Sequence, residues 1–293
     1  MKGFRKGLLK FLLTVLAVVT AIFIIYLWQE RYAESNSKPV IISPTETISL
    51  SVESLNDHSM LLKDVIAIDV EDGDITSSIV IENISQFVDN GHCIVTYAAF
   101  DSDNNVSKIT RHLFLTDYTP PQFKLSAPLE FNYSSSFDPL SVVGAIDCID
   151  GDISDSVKMS TVNPDDDLSS VGAHMVEFTV TNSLGDTAVL EAEVDVYDKT
   201  YTETRMTPSI LLSDYIVYVD QYSFVDPASL IEDISLSGVK YQLEEYQSGS
   251  ISIDDNEVDY SVPGTYKVLY TCDNKEAYYG YAVLMIIVRE VSR

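Results

Sequence analysis

A stretch of fifteen residues occurs twice in this chain, and it constrains the fold more than any other feature. AIDVEDGDITSSIVI begins at Ala67 and AIDCIDGDISDSVKM begins at Ala145, 78 residues later. Asp69, Asp72, Gly73, Asp74 and Ile75 recur as Asp147, Asp150, Gly151, Asp152 and Ile153. A second pattern follows each copy and appears a third time: GHCIVTYAAFDSDNN from Gly91, GAHMVEFTVTNSLGD from Gly172 and GTYKVLYTCDNKEAY from Gly264. Each version has a glycine, an alternating run, and then Asp101, Asn182 or Asp273 opening a polar turn. Each leads into another alternating run: ITRHLFLTD, VLEAEVDVYD or YAVLMIIVRE.

Alternation with a period of two places one face of a strand against a core and the other in water. Two such runs joined by a short polar turn form a hairpin. Short strands with turn signals between them, in units of about 80 to 95 residues, fit one immunoglobulin-like sandwich per unit. The expected fold is all-β, with three tandem immunoglobulin-like β-sandwiches after one N-terminal transmembrane helix. The domains fall at 39–118, 119–199 and 200–293. Asp117–Pro121 and Asp198–Tyr201 read as linkers. The prolines of the first favour an extended connection, so the domains are expected to form a short rod. No amphipathic helix is expected outside the anchor.

The anchor is the uncharged run FLLTVLAVVTAIFIIYLW, residues 11–28. As a helix it rises about 27 Å, close to the hydrocarbon thickness of a bilayer. Segment 1–10 is basic, through Lys2, Arg5, Lys6 and Lys10. Residues 29–38 form a linker in which Glu30 and Glu34 offset Arg31 and Lys38. The positive-inside rule then puts the N-terminus in the cytoplasm and the remainder outside a cell membrane. Tyr26 and Trp28 stand where an interfacial aromatic belt belongs. A cleaved signal peptide is the rival reading. The long apolar core and the following Gln29-Glu30-Arg31-Tyr32 favour an uncleaved anchor.

The formal net charge is −27, and it is segregated. Residues 1–38 carry six basic and two acidic residues, against 12 basic and 43 acidic in the remainder. So acidic a body repels phosphate backbones, and nucleic acid is excluded as a partner. Cys93, Cys148 and Cys272 fall one to a domain, with no CxxC pair. That is neither a disulfide framework nor a zinc site, and each is expected to be a small core residue.

At Ala67–Thr76, Gly91–Asp101 and Asp117–Pro121 the chain resembles the bacterial immunoglobulin-like domains of Gram-positive surface proteins and of some pesticidal crystal proteins. Ala145–Ser154 and Gly172–Asn182 follow the same pattern, with Ile149 in place of an acidic residue and Asn182 in place of Asp. The third unit keeps only Gly264–Asp273. The resemblance implies the fold; the family has no common biochemical function, so it implies no activity.

The acidic loops are the first candidate site. Asp69, Asp72 and Asp74, with Glu71, and then Asp147, Asp150 and Asp152, offer oxygens on alternate loop positions, as a Ca²⁺ site requires. The competing reading is a turn, in which Asp-Gly-Asp bonds its own backbone and the glycine takes a positive φ. The turn is preferred, because a fold signature recurs wherever the fold does. No cofactor is expected unless it is calcium. Paired carboxylates can also serve glycoside hydrolysis, but no nucleophile motif, cleft former or phosphate loop accompanies them, and no catalysis is expected.

His92 and His112 are placed near one another across a hairpin. All four histidines, with His58 and His174, read as surface or rim residues. The third unit holds 12 of the 18 tyrosines, and Tyr278, Tyr279 and Tyr281 are the candidate ligand-binding residues. The expected function is membrane-anchored display, adhesion or binding, with a cell-wall polysaccharide or a surface protein as partner. The alternative is an accessory ectodomain of a membrane enzyme or export complex.

Overall fold

In the computed structural model of the chain, the described residues are 2–34, 38–246, 249–275 and 278–290. The chain divides into two compact units, Met1–Tyr118 and Thr119–Arg293.

The first unit begins with one helix, Lys2–Glu34. Within it, Lys10–Gln29 has a mean hydropathy of 2.6, and none of that span is buried in the protein. A helix apolar on every side and covered by nothing suits a hydrocarbon surrounding. Its polar side chains are turned inward: the hydroxyls of Thr14 and Thr20 donate to the carbonyls of Lys10 (2.9 Å) and Leu16 (3.0 Å). By length and composition this helix is a membrane span or an export signal. The side chains of Lys2, Arg5, Lys6, Glu30, Arg31 and Glu34, on which the expected orientation leans, lie outside the described residues, as do residues 291–293.

The rest of the first unit is a sandwich of a four-stranded and a three-stranded sheet. Its centre is the hairpin of His92–Phe100 and Val106–Leu115, in register from His92 opposite Phe114 to Phe100 opposite Val106. Cys93, Val95, Tyr97 and Ala99 point into the core, as a two-residue period dictates. Thr47–Leu50 adds a parallel strand to one edge and Val80–Ile84 an antiparallel strand to the other. Val40–Ile42, Ile66–Asp69 and Gly73–Asp74 make the opposing sheet.

The second unit contains two more sandwiches with the same four-plus-three division. Their central hairpins are Gly172–Thr181 with Thr187–Tyr197, and Gly264–Asp273 with Tyr279–Arg289. Each takes a parallel edge strand, Glu130–Asn132 and Ile216–Asp220 respectively. Each of the three therefore has seven strands in two sheets, as an immunoglobulin-like sandwich does, and beyond the N-terminal helix the chain is mostly β, as expected. The core residues of these two sandwiches form one continuous apolar cluster, from Phe123 to Val288. The segment read as a linker at 198–201 enters a short helix, Tyr201–Met206. Thr200 and Glu203 cap it reciprocally, each side chain serving the other's backbone N–H.

Candidate functional site

The repeated acidic loop is built twice in the same way. Asp69 and Asp147 end inward-facing strands and are only 6% and 2% exposed. The Asp69 carboxylate accepts the N–H groups of Glu71 (2.8 Å) and Asp72 (3.1 Å). Asp147 accepts those of Ile149 (2.9 Å) and Asp150 (3.0 Å). Gly73 and Gly151 follow at φ +74° and +76°, a left-handed conformation that only glycine takes without strain.

Asp74 and Asp152 then cap the next short turn. Asp74 accepts the N–H of Thr76 (2.9 Å), and Asp152 that of Ser154 (3.0 Å). Hydrogen bonds from the Thr76 and Ser154 side chains, then from their backbones, hold both carboxyls below the usual range. The same hydroxyls accept the N–H of Ala67 and Ala145 (3.1 Å each), closing the loop onto its strand.

Asp72 and Asp150 reach across to the central hairpin. Asp72 accepts both the N–H (2.6 Å) and the hydroxyl (2.9 Å) of Ser102. Asp150 does the same with Ser183, at 2.6 and 2.7 Å. Each loop is thus tied to the hairpin turn by a bidentate, charge-assisted contact. All six candidate aspartates therefore accept from protein donors. Among the described residues no group of three His, Cys, Asp or Glu side chains is placed to hold a metal ion.

The change from Asp101 to Asn182 is explained by the same geometry. Asp101 accepts the N–H groups of Asp103 (2.9 Å) and Asn105 (2.7 Å). The Asn182 carbonyl accepts those of Leu184 (3.1 Å) and Asp186 (2.9 Å), and its amide also donates to Asp147 (3.1 Å). Sequence reasoning passed over Ser102 and Ser183, although each stands immediately after the polar-turn residue. It also passed over Tyr97, Phe178 and Tyr270, which stand six residues after Gly91, Gly172 and Gly264. Tyr97 and Tyr270 are fully buried, and their hydroxyls donate to Leu61 and Pro227 carbonyls at 2.8 Å. Burial pushes both phenols upward.

The three candidate tyrosines do not form one surface. Tyr279 is 67% exposed. Tyr278 is half-buried, and its N–H donates to Asn274 (3.2 Å). Tyr281 shares a strand face with Tyr279, but its hydroxyl donates to Asp195 of the second sandwich. Two other polar contacts join the same sandwiches: Lys267 to Glu193 at 3.4 Å, and the Phe123 N–H to the Tyr218 hydroxyl at 2.8 Å.

Histidines and cysteines depart in part from expectation. His92 Nε2 and His112 Nδ1 are 2.9 Å apart across their hairpin, and the His92 ring stacks on Phe114. His174 is a correction: at 5% exposure it is a core residue, not a rim residue. Burial lowers its basicity, but the Ser170 carbonyl (2.8 Å) and the Asp166 carboxylate (2.6 Å) take its two ring nitrogens and more than offset this, so its pKa is raised. Cys93 and Cys272 are buried, with burial pushing the Cys93 thiol up to about 11. Cys148 is exposed. Its neighbour Asp147 takes the inward position, and on a strand the next residue points the other way.

No family model matches the chain. A curated relative, an "Uncharacterized 81.3 kDa protein" of Acholeplasma phage L2, is 31% identical over 149 residues, half of this chain. The match covers 18% of that relative's length. Among solved structures, the CBM51-2 and INT domains of Clostridium perfringens ZmpB, in complex with GlcNAc, match at a TM-score of 0.22. Identity there is 19%, covering 52% of this chain and 26% of that one. Drosophila N-cadherin EC1-3 matches at a TM-score of 0.31 and 10% identity, covering 85% of this chain and 99% of that one. Similarities of this size carry neither ligand nor activity across.

Proposed function

We propose that the chain is a single-pass membrane protein that displays three immunoglobulin-like sandwiches outside the cell. Its sandwiches bind or present, without catalysis of their own. The observation that carries this reading is the uncovered apolar helix, joined in sequence to sandwiches whose polar loops are tied to their own backbones. The acidic loops serve the fold in this reading, and calcium is not needed. Tyr279, with its ring open to solvent at the end of the last hairpin, is the contact residue for a wall polysaccharide or a surface protein.

The test is made on the full chain in bacterial cells. The expected result is a protein that resists carbonate extraction from membranes and loses residues beyond 38 to protease added outside intact cells. Release by carbonate, or a body protected in intact cells, contradicts the reading. Tyr279→Ala is expected to weaken retention on purified cell-wall material several-fold while leaving the melting temperature unchanged.

A further inference from the structure

A half-buried glutamate with one buried, unsatisfied oxygen lies where the second and third sandwiches meet. Glu130 and Asp195 are register partners on adjacent parallel strands, so their side chains leave the sheet side by side. Asp195 accepts the Tyr281 hydroxyl from the third sandwich. Glu130 Oε1 is buried and has no hydrogen-bond partner. Two small cavities adjoin Glu130, both lined by Glu130 and Tyr281. One, about 60 Å³, is lined also by Leu129, Ala192 and Met285; the other, about 140 Å³, by Tyr197, Lys199 and Pro208.

The charges around Glu130 are unbalanced. From the second sandwich it faces Asp195, Glu193, Tyr197 and Lys199; from the third, Tyr281, Lys267 and Tyr215. Lys267 is engaged by Glu193, which leaves Lys199 as the cation opposing two adjacent carboxylates. Two ionised carboxylates side by side in a half-buried seam repel, and neither finds enough water to offset it.

We propose that the seam between the second and third sandwiches is a proton-operated joint, closed while Glu130 carries a proton beside Asp195 and loosened when Glu130 ionises. Burial first, and the Asp195 charge second, raise Glu130 to about 7, with Lys199 opposing them. The protonated form therefore belongs to the closed seam. Its stabilisation is complete below the ordinary glutamate value and is lost as pH rises through about 7. The joint would let the third sandwich respond to the acidity outside the cell.

Met285 reports on the seam. It lines the smaller cavity and is 5% exposed, whereas Met175 stands in the open on the second sandwich. Peroxide converts an accessible thioether to its sulfoxide. The experiment follows this oxidation by peptide mass spectrometry on the full chain in detergent, from pH 5.5 to 8.5, with Met175 as reference. Relative to Met175, Met285 is expected to oxidise about tenfold faster at the top of that range than at the bottom, with a one-proton midpoint near 7. Glu130→Gln, a neutral isostere, is expected to keep Met285 slow throughout. Asp195→Asn is expected to move the midpoint down by about one pH unit, because the neighbouring charge is gone. A Met285 rate that ignores pH in the native chain, a rise that survives in Glu130→Gln, or an unmoved midpoint in Asp195→Asn overturns the proposal.

Discussion

The first two sandwiches and the third fasten their hairpin ends with the same chemistry but from opposite sides. In the first two, the loop supplies the carboxylate (Asp72, Asp150) and the hairpin turn supplies the serine (Ser102, Ser183). In the third, the hairpin supplies the carboxylate. Asp273 accepts the N–H (3.2 Å) and hydroxyl (2.5 Å) of Ser250, next to the edge strand Ile251–Asp254. The third unit therefore dispenses with the acidic repeat yet still ties its hairpin end by a carboxylate. What the fold requires there is a carboxylate facing paired N–H and O–H donors, and the side that provides it can change.

The comparison can be broken most forcefully at the buried carboxylates of the repeat, which accept backbone N–H groups, whereas buried Asp233 of the third sandwich accepts from the side chains of Lys240 and Gln242. Asp147→Ala removes the acceptor of two N–H groups and one amide, and is expected to cost about 3 kcal/mol in denaturant unfolding of its unit. Asp69→Ala should act similarly in the first unit. A loss well below 1 kcal/mol at both would mean that the loops hold themselves without these carboxylates.

A smaller effect is expected at the buried tyrosines. Tyr97→Phe and Tyr270→Phe each leave a backbone carbonyl unpaired, and should cost about 1 to 2 kcal/mol. The second sandwich already carries Phe178 at that position, so it sets the reference for a hairpin built without the hydroxyl. Smaller again, Ser102→Ala and Ser183→Ala keep the N–H bond and lose only the hydroxyl, at a cost of about 1 kcal/mol or less.

The slightest effect is a change in acid sensitivity. Asp74, Asp152 and Asp273 all have carboxyls held below the usual value by hydrogen bonds to Thr76, Ser154 and Ser250. A depressed carboxyl contributes stability that is present above its unfolded value and lost as pH falls through its folded one. Asparagine at each of the three should flatten the fall of stability below about pH 4. An unchanged fall in Asp273→Asn would mean that the Ser250 contact does not hold the Asp273 carboxyl down.

Much of this was legible in the sequence, because hairpins and turns are local. Gly91, Gly172 and Gly264 mark the central hairpins, and the glycine of each Asp-Gly-Asp marks a positive φ. Two misreadings concern parity that was available. His174 alternates with Val176 and Phe178, which places it inward, and Cys148 follows inward-facing Asp147. The cap at Thr200 and Glu203 had its signature in plain view. The seam around Glu130 had none. It joins strands about 65 and 150 residues apart in sequence, and no period or motif announces a contact made only when two finished sandwiches pack.

The account rests on the acidic repeat acting as a tie, and calorimetric titration of the full chain with Ca²⁺, paired with melting in Ca²⁺ and in chelator, tests it most directly. It predicts no saturable heat and the same melting temperature in both solutions. A saturable heat with a raised melting temperature, both abolished by Asp72→Ala together with Asp150→Ala, would contradict it.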